Sequence, residues 1–313
     1  MTTIRRILCA TDLSPASEPA WDEARLLAGL LGAELVVLHV VPPMPIPLEG
    51  YFPPQTYQEL VEGEQREAQA SLDALLARVT EPRLKAQGRV VEGSAAQRIL
   101  DVAREEGSDL IVVGTRGRTG VERILLGSVA DRVVRAASRP VVTVRPHPAA
   151  GRPAGIARIL YATDFSPTAR AAWPWVLALA EPTGAAIDLL HVTAQAVPDR
   201  HLPPDVLGRM ARLLEEQGQT EAERFLQESE RLRPGRLPRE RVQVLIRTGV
   251  AGDQIAHWAQ ARGADLVVMG THGWSGLLRW MLGSVAHHVI QIAPCPVLTV
   301  GPAGQGSESG HAS

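Results

Sequence analysis

The stretch IRRILCATDLSP at residues 4–15 returns as IARILYATDFSP at residues 156–167. Each copy is a short apolar run closed by Thr-Asp, one residue, and then Ser-Pro. An apolar run of this length, bounded by turn residues, reads as a buried strand. Outward from the two copies the rest of the sequence keeps step. Trp21 matches Trp173, LHV at 38–40 matches LHV at 190–192, and Gly93 matches Gly249. RPVVTV at 139–144 matches CPVLTV at 295–300. The period is about 150 residues, one domain length, so the chain reads as a tandem of two domains and not as a solenoid. The bounds expected are 1–146 for the first domain and 157–301 for the second. Residues 147–156, rich in Pro, Gly and Ala, make the linker, and 302–313 have nothing to bury and are expected to be disordered.

Bulk properties agree with this organisation. The 313 residues suffice for two ordinary domains, and an apolar share of 45% is that of a soluble globular protein. A formal net charge of −2 argues against a coat for nucleic acid or for an acidic membrane surface, since both need a basic excess. No apolar run approaches the roughly 20 residues that span a bilayer. The opening MTTIRRILCATDLS lacks the apolar core and cleavage site of a secretory signal. The two cysteines, Cys9 and Cys295, have no partner pattern, and a reducing, cytoplasmic compartment is expected. Cys9 reads as a small buried residue of a strand.

Each half alternates strands and helices. In the first, strands are expected at 6–11, 34–41, 88–93, 109–114 and 140–144, with helices at 16–31, 57–79, 96–107 and 128–137. The second repeats the order, with helices over 205–232 and 253–262. Strands this uniformly apolar suit a parallel sheet covered on both faces. Right-handed crossovers then give an open, doubly wound α/β fold, whose ligands sit beyond the carboxyl ends of the strands.

Residues 114–128 read GTRGRTGVERILLGS and residues 270–284 read GTHGWSGLLRWMLGS, with the same glycine spacing in each. Glycines admit positive φ and close approach of a ligand, successive N–H groups form an anion-binding concavity, and a helix N-terminus adds donors and a positive dipole end. Ser128 and Ser284 can cap that helix or offer a hydroxyl. Together these parts suit a polyphosphate. The pattern is neither a Walker loop nor the dinucleotide fingerprint, and a plain strand-to-helix turn is the bland alternative. Asp12 and Asp164 end the first strand of each half. They suit ribose hydroxyls or a phosphate-bound metal, or equally an N-cap or Asx turn for which Ser14 and Ser166 compete.

ATD-[LF]-S, LHV and G-x2-G-x9-G-S together resemble the universal stress protein family, over both halves and nearly the whole chain outside linker and tail. The glycine motif is the mark of its ATP-binding branch. The resemblance implies two doubly wound domains, each of five parallel strands ordered 3-2-1-4-5. It implies ATP at the strand tips, its phosphates carrying Mg2+ or Mn2+, and a cytoplasmic role in the stress response. Carried over to this sequence, Thr11, Asp12, Thr163 and Asp164 meet the ribose end, and the backbone of Val41 and Thr193 meets adenine. Gly114, Thr115, Arg116, Gly117, Arg118, Gly127, Ser128 and Val129 wrap the phosphates of the first site. Gly270, Thr271, His272, Gly273, Gly283, Ser284 and Val285 do so in the second. Family members often dimerise, so a homodimer is an expectation.

The halves depart from each other here. Arg118 faces Trp274 in the alignment, and Arg116 faces His272, so the second site loses up to two fixed positive charges and is expected to bind more weakly. His39 and His191 read as packed strand residues. His287 and His288 diverge around a helix and make a poor metal pair, so no metal is expected on protein side chains alone. Trp21 and Trp173 read as core, while Trp274 and Trp280 suit a partner interface. No Ser-His-Asp order, HExxH or cysteine cluster points to catalysis. The function expected is an ATP-binding regulatory protein with two sites and at most weak hydrolysis, acting on an unknown client. A slow ATPase or nucleotidyl-transferring enzyme, and a nucleotide-free interaction module, are the alternatives.

Overall fold

A computed structural model describes residues 3–43, 54–81, 83–117, 126–146, 155–193, 204–236, 239–273 and 282–302. Arg118, Trp274, Trp280, the segments 44–53 and 194–203, most of the linker and the tail from 303 lie outside the described residues. The chain divides into two compact units, Met1–Gly155 and Ile156–Ser313.

In the first unit the strands are β1 (Arg6–Thr11), β2 (Glu34–Val41), β3 (Ala86–Glu92), β4 (Leu110–Gly114) and β5 (Val141–Val144). The helices between them are α1 (Glu18–Leu31), α2 (Pro54–Leu76), α3 (Ala95–Glu105) and α4 (Ser128–Ala136). All strand pairings are parallel, and the order is β3-β2-β1-β4-β5. The second unit repeats this with β6 (Arg158–Ala162), β7 (Ala186–Thr193), β8 (Val242–Thr248), β9 (Leu266–Gly270) and β10 (Val297–Val300). Its helices are α5 (Pro167–Thr183), α6 (Pro204–Leu232), α7 (Ala251–Arg262) and α8 (Ser284–Ile292), and its strand order is β8-β7-β6-β9-β10. Each unit therefore has the expected 3-2-1-4-5 doubly wound sheet.

The central strands are apolar because both their faces are covered. Ile7, Leu8 and Cys9 of β1 and Ile159, Leu160 and Tyr161 of β6 have no exposed surface. Trp21 and Trp173 are buried in their helices, as expected of core residues. In the second unit Trp173, Tyr161, Phe165 and Phe225 pack ring against ring, with the Arg170 guanidinium over Phe225. Gly32 and Gly184 close α1 and α5 in the left-handed region, φ 64° and 70°, which a side chain would disfavour. The entry to α1 differs from expectation. Residues Pro15–Ser17 form a 3-10 turn, and the α-helix begins at Glu18. No helix among the described residues is long and apolar enough to cross a membrane.

At the amino ends of the strands the two units share one device and differ in another. Asp109 accepts the backbone N–H groups of Arg5 and Arg6, and Asp265 accepts those of Ala157 and Arg158. The nearby ion pairs are arranged differently. In the first unit Arg6 meets Glu34 at 2.8 Å and Glu106 at 3.7 Å. In the second the acid is Asp188, 1% exposed, which Arg262 grips with two nitrogens at 3.0 and 3.1 Å while Arg158 approaches at 3.1 Å. A carboxylate so buried needs this number of partners.

Candidate functional site

The site begins where β1 and β6 end. Thr11 Oγ1 accepts the N–H of Leu13 at 3.0 Å, and Asp12 Oδ1 accepts the N–H of Ser14 at 3.0 Å and its hydroxyl at 2.6 Å. Thr163 and Asp164 repeat both turns, to Phe165 at 2.9 Å and Ser166 at 3.0 Å. The two interlocked turns hold Leu13 and Phe165 at φ 60° and 59°, a conformation that costs a non-glycine residue energy. The Asx-turn reading of the aspartates therefore holds. Oδ1 makes an Asx turn, while Oδ2 faces the glycine loop, since a Cβ on Gly117 would lie 2.7 Å from Asp12 Oδ2. Gly273 stands in the same relation to Asp164. The helix cap belongs to Ser166, whose Oγ accepts the N–H of Ala169.

Below each tip a histidine pins the strand end. His39 Nδ1 lies 2.9 Å from the carbonyl of Thr11, and His191 Nδ1 lies 2.8 Å from that of Thr163. Carbonyl oxygen only accepts, so Nδ1 carries the proton. These rings are packed strand residues, as the sequence suggested. His288 Nε2 pairs with Asp253 Oδ1 at 2.8 Å, and among the described residues no group of three or more metal-ligating side chains is arranged to hold an ion.

The glycine loops are built by closeness rather than by unusual backbone angles. None of Gly114, Gly117, Gly127, Gly270, Gly273 and Gly283 has a positive φ, against expectation. What these positions lack is room. A Cβ on Gly270 would lie 2.9 Å from the backbone nitrogen of Ala169, and one on Gly127 or Gly283 would lie 3.0 or 2.9 Å from the carbonyl of Thr115 or Thr271. Gly127 N–H bonds Thr115 O at 2.9 Å and Gly283 N–H bonds Thr271 O at 2.8 Å, which closes each loop onto its strand. Gly127 and Gly283 are also the N-caps of α4 and α8. Ser128 and Ser284 stand one residue further in and do not cap, contrary to one of their two expected roles. The first bond inside α4 runs from Asp131 N–H to Gly127 O, and in α8 from His287 N–H to Gly283 O. The N–H groups of Ser128, Val129 and Ala130, and of Ser284, Val285 and Ala286, thus point out of the helix start. They lie at the positive end of the helix dipole.

In the second unit these parts enclose a cavity of about 360 Å³. Part of its lining is polar: Asp164, Thr271, His272, Gly273, Gly283 and Ser284. Part is apolar: Leu190 and Val192 from β7, Ile255 from α7 and Met269 from β9.

Comparison with known proteins supplies the ancestry of this arrangement. The sequence profile of the Universal stress protein family matches residues 3–145 and again 155–301. The chain belongs to the universal stress protein family. A universal stress protein of Mycolicibacterium smegmatis is 30% identical over 303 residues, 95% of this chain and 97% of its own. One from Methanocaldococcus jannaschii is 36% identical over 144 residues, 45% of this chain and 82% of its own. Among solved structures, a universal stress protein from Archaeoglobus fulgidus superposes with a TM-score of 0.64 at 23% identity, covering 96% of this chain and 97% of that one, which shows a common fold.

Within this universal stress protein chain, nine of the ten second-unit residues singled out from sequence meet at one place. Thr163, Asp164, Gly270, Thr271, His272, Gly273, Gly283, Ser284 and Val285 all line the second-unit cavity. Thr193 does not. Its carbonyl accepts the N–H of Gly249, and its side chain lines a separate groove beside α6. Val41 O is likewise taken, by Gly93 N–H. The strand residue that reaches the cavity is the preceding one, Val192, because successive side chains face opposite sides of a sheet. Ile255 and Met269 were missed as well. They come from a helix and a strand distant in sequence, and only the α7 helical period hinted at the first.

Proposed function

We propose that each half is a binding site for an adenine nucleotide, and that the chain is an ATP-binding regulatory protein with little turnover. The observation that carries this reading is the partly apolar, partly polar lining of the second-unit cavity. Its apolar part, Leu190, Val192, Ile255 and Met269, suits a flat, weakly hydrated base. Its polar part offers what a polyphosphate needs: backbone approach without side chains, and helix N–H groups at a positive dipole. Asp164 also lines the cavity, as a carboxylate to which a ribose hydroxyl can donate. By alignment the first unit presents Leu38, Val40, Ile99 and Val113 to the base and Asp12 to the ribose. Bound Mg2+ would arrive with the phosphates and screen their charge; the protein side contributes no metal cluster in this reading.

The regulatory half of the proposal rests on the lining itself. The titratable side chains among the described residues of the cavity wall are Asp164 and His272, and Asp164 is already engaged in its turn. A cytoplasmic stress-adaptation role, a client protein and self-association extend the same proposal. The test is mass analysis of small molecules released on denaturing the purified protein, followed by calorimetric titration with ATP. Two equivalents per chain support the reading. No adenine nucleotide released and no heat on titration would remove it.

A further inference from the structure

The walls of the two sites correspond closely by alignment, apart from changes of charge toward the phosphate loop. Ser17 stands for Ala169, Val113 for Met269, and Arg116 for His272. The first two substitutions alter shape slightly. The third replaces a permanent cation by a group that titrates near neutrality. The first unit adds Arg145 beside Arg116, where burial and the Arg116 charge hold its guanidinium below the usual range. Its counterpart in the second unit is Gly301. Among the described residues, the cationic character of the second site at the phosphate end therefore comes from His272 alone, together with the α8 dipole.

The setting of His272 leaves its proton negotiable. Its Nδ1 lies 2.8 Å from Thr271 Oγ1. A hydroxyl can donate to a neutral ring nitrogen or accept from a protonated one, so the ring keeps its orientation in both states. His191 is different, because a backbone carbonyl holds its Nδ1 and only accepts. The other titratable group on the cavity wall is Asp164, across from Gly273. On the neighbouring helices, His288 is paired with Asp253 at the α7–α8 contact, and His287 follows in α8.

We propose that His272 makes the second nucleotide site pH-dependent: it takes up a proton as polyphosphate binds, so this half fills as pH falls toward 6 while the first half, with Arg116, does not respond. This rests on the nucleotide reading above. The sign follows from linkage. Phosphate near the imidazole favours its charged form, so the bound ring titrates above the value of the unliganded ring. Affinity is then greatest below that value and is lost as pH rises through the bound value.

The experiment is calorimetric titration of the full chain with Mg-ATP between pH 5.5 and 8.5. A Gly117→Ala chain reports the second site and a Gly273→Ala chain reports the first. Titration of ATP itself is common to both and cancels in the comparison. The expected result is an affinity gain from pH 8 to pH 6 about tenfold larger at the second site, the scale of one charge-assisted hydrogen bond. His272→Gln should remove that excess and His272→Arg should give tight binding at every pH. Repeating the unsubstituted-His272 titration in buffers of different ionisation enthalpy reads proton uptake directly, whatever the variants do to folding. Equal pH profiles at the two sites, or no proton uptake at the second, overturn the inference while leaving the nucleotide reading intact. No ATP heat at the second site at any pH overturns both there.

Discussion

Gly117 lies so close to Asp12 that a Cβ on the glycine would come within 2.7 Å of the carboxylate Oδ2. The contact couples the glycine loop to the strand tip. An alanine there must push the carboxylate aside, and a side-chain end moves cheaply. Neither Gly117 nor Gly273 has a positive φ, so no backbone strain follows. Gly117→Ala and Gly273→Ala should therefore each change folding stability by less than about 1 kcal/mol. Each should reduce ATP stoichiometry by one per chain. Paired denaturation and calorimetry check both statements, and a large loss of stability with full stoichiometry would contradict them.

Asp188 is the deepest acid among the described ion pairs, at 1% exposure between Arg158 and Arg262. Asp188→Ala leaves two guanidiniums facing each other at the foot of the sheet. The expected loss is about 3 kcal/mol, toward the low end for broken buried pairs because both arginines keep partial access to water. Urea titration of the two-unit chain should show the second unit unfolding first, with the first unit's transition unmoved.

Burial pushes the Cys9 thiol up to about 12. The folded chain thus resists forming the thiolate that the unfolded chain forms near pH 8.5. This contribution to stability is complete below that pH and declines as pH rises toward the folded value, by about 1.4 kcal/mol per unit. Cys9→Ala should flatten the alkaline limb of the stability profile between pH 8.5 and 10.5. In the native protein at pH 8, Cys9 and Cys295, both buried, should react slowly with a thiol reagent.

His39 is 6% exposed and donates to the carbonyl of Thr11 at 2.9 Å. Removing the ring leaves a buried acceptor unmatched beside the strained Leu13 turn. His39→Ala should cost about 2 kcal/mol. His191→Ala should cost less, since that ring is only half-buried and water can reach the acceptor. Denaturant midpoints of the two variants, compared unit by unit, test the ordering.

The fold was legible because two independent signals agreed. Apolar runs such as RILCAT and DLIVVG locate strands by themselves, and their recurrence at one domain length fixes the two units. The site was legible where chemistry sits next to the chain's own turns, as at Asp164 and the Gly270–Gly273 pair. It was illegible where it depends on which side of a sheet a residue faces. Thr193 and Val192 are neighbours, and only the face of the sheet that each side chain takes in the fold decides that Val192 reaches the cavity. Positive φ, one part of the sequence argument for the glycines, does not occur at them. The contacts of Ala169 with Gly270 and of Thr271 with Gly283 are non-local and invisible in a string. Asp188 gave no sign of its partners, because Arg158 and Arg262 lie 30 and 74 residues away along the chain.

The unlike ion clusters at the amino ends of the strands bear on how a duplicated chain reaches the right structure. Two similar halves emerging in succession from a ribosome can exchange equivalent strands and misassemble. Register makes β2 Val36 the counterpart of Asp188, and alignment makes Glu106 the counterpart of Arg262. If β7 were taken up by the first half, Ala186 would stand where Glu34 meets Arg6, and the buried Asp188 would lie beside Glu106 in place of Arg262. If β2 were taken up by the second, Glu34 would come opposite Arg158 as it does opposite Arg6, but Val36 would stand in the buried place of Asp188 and leave Arg262 without its carboxylate. Each wrong pairing parts a charged residue from the partner it has in the right one, so the divergence of these few residues guards the fidelity of folding after duplication.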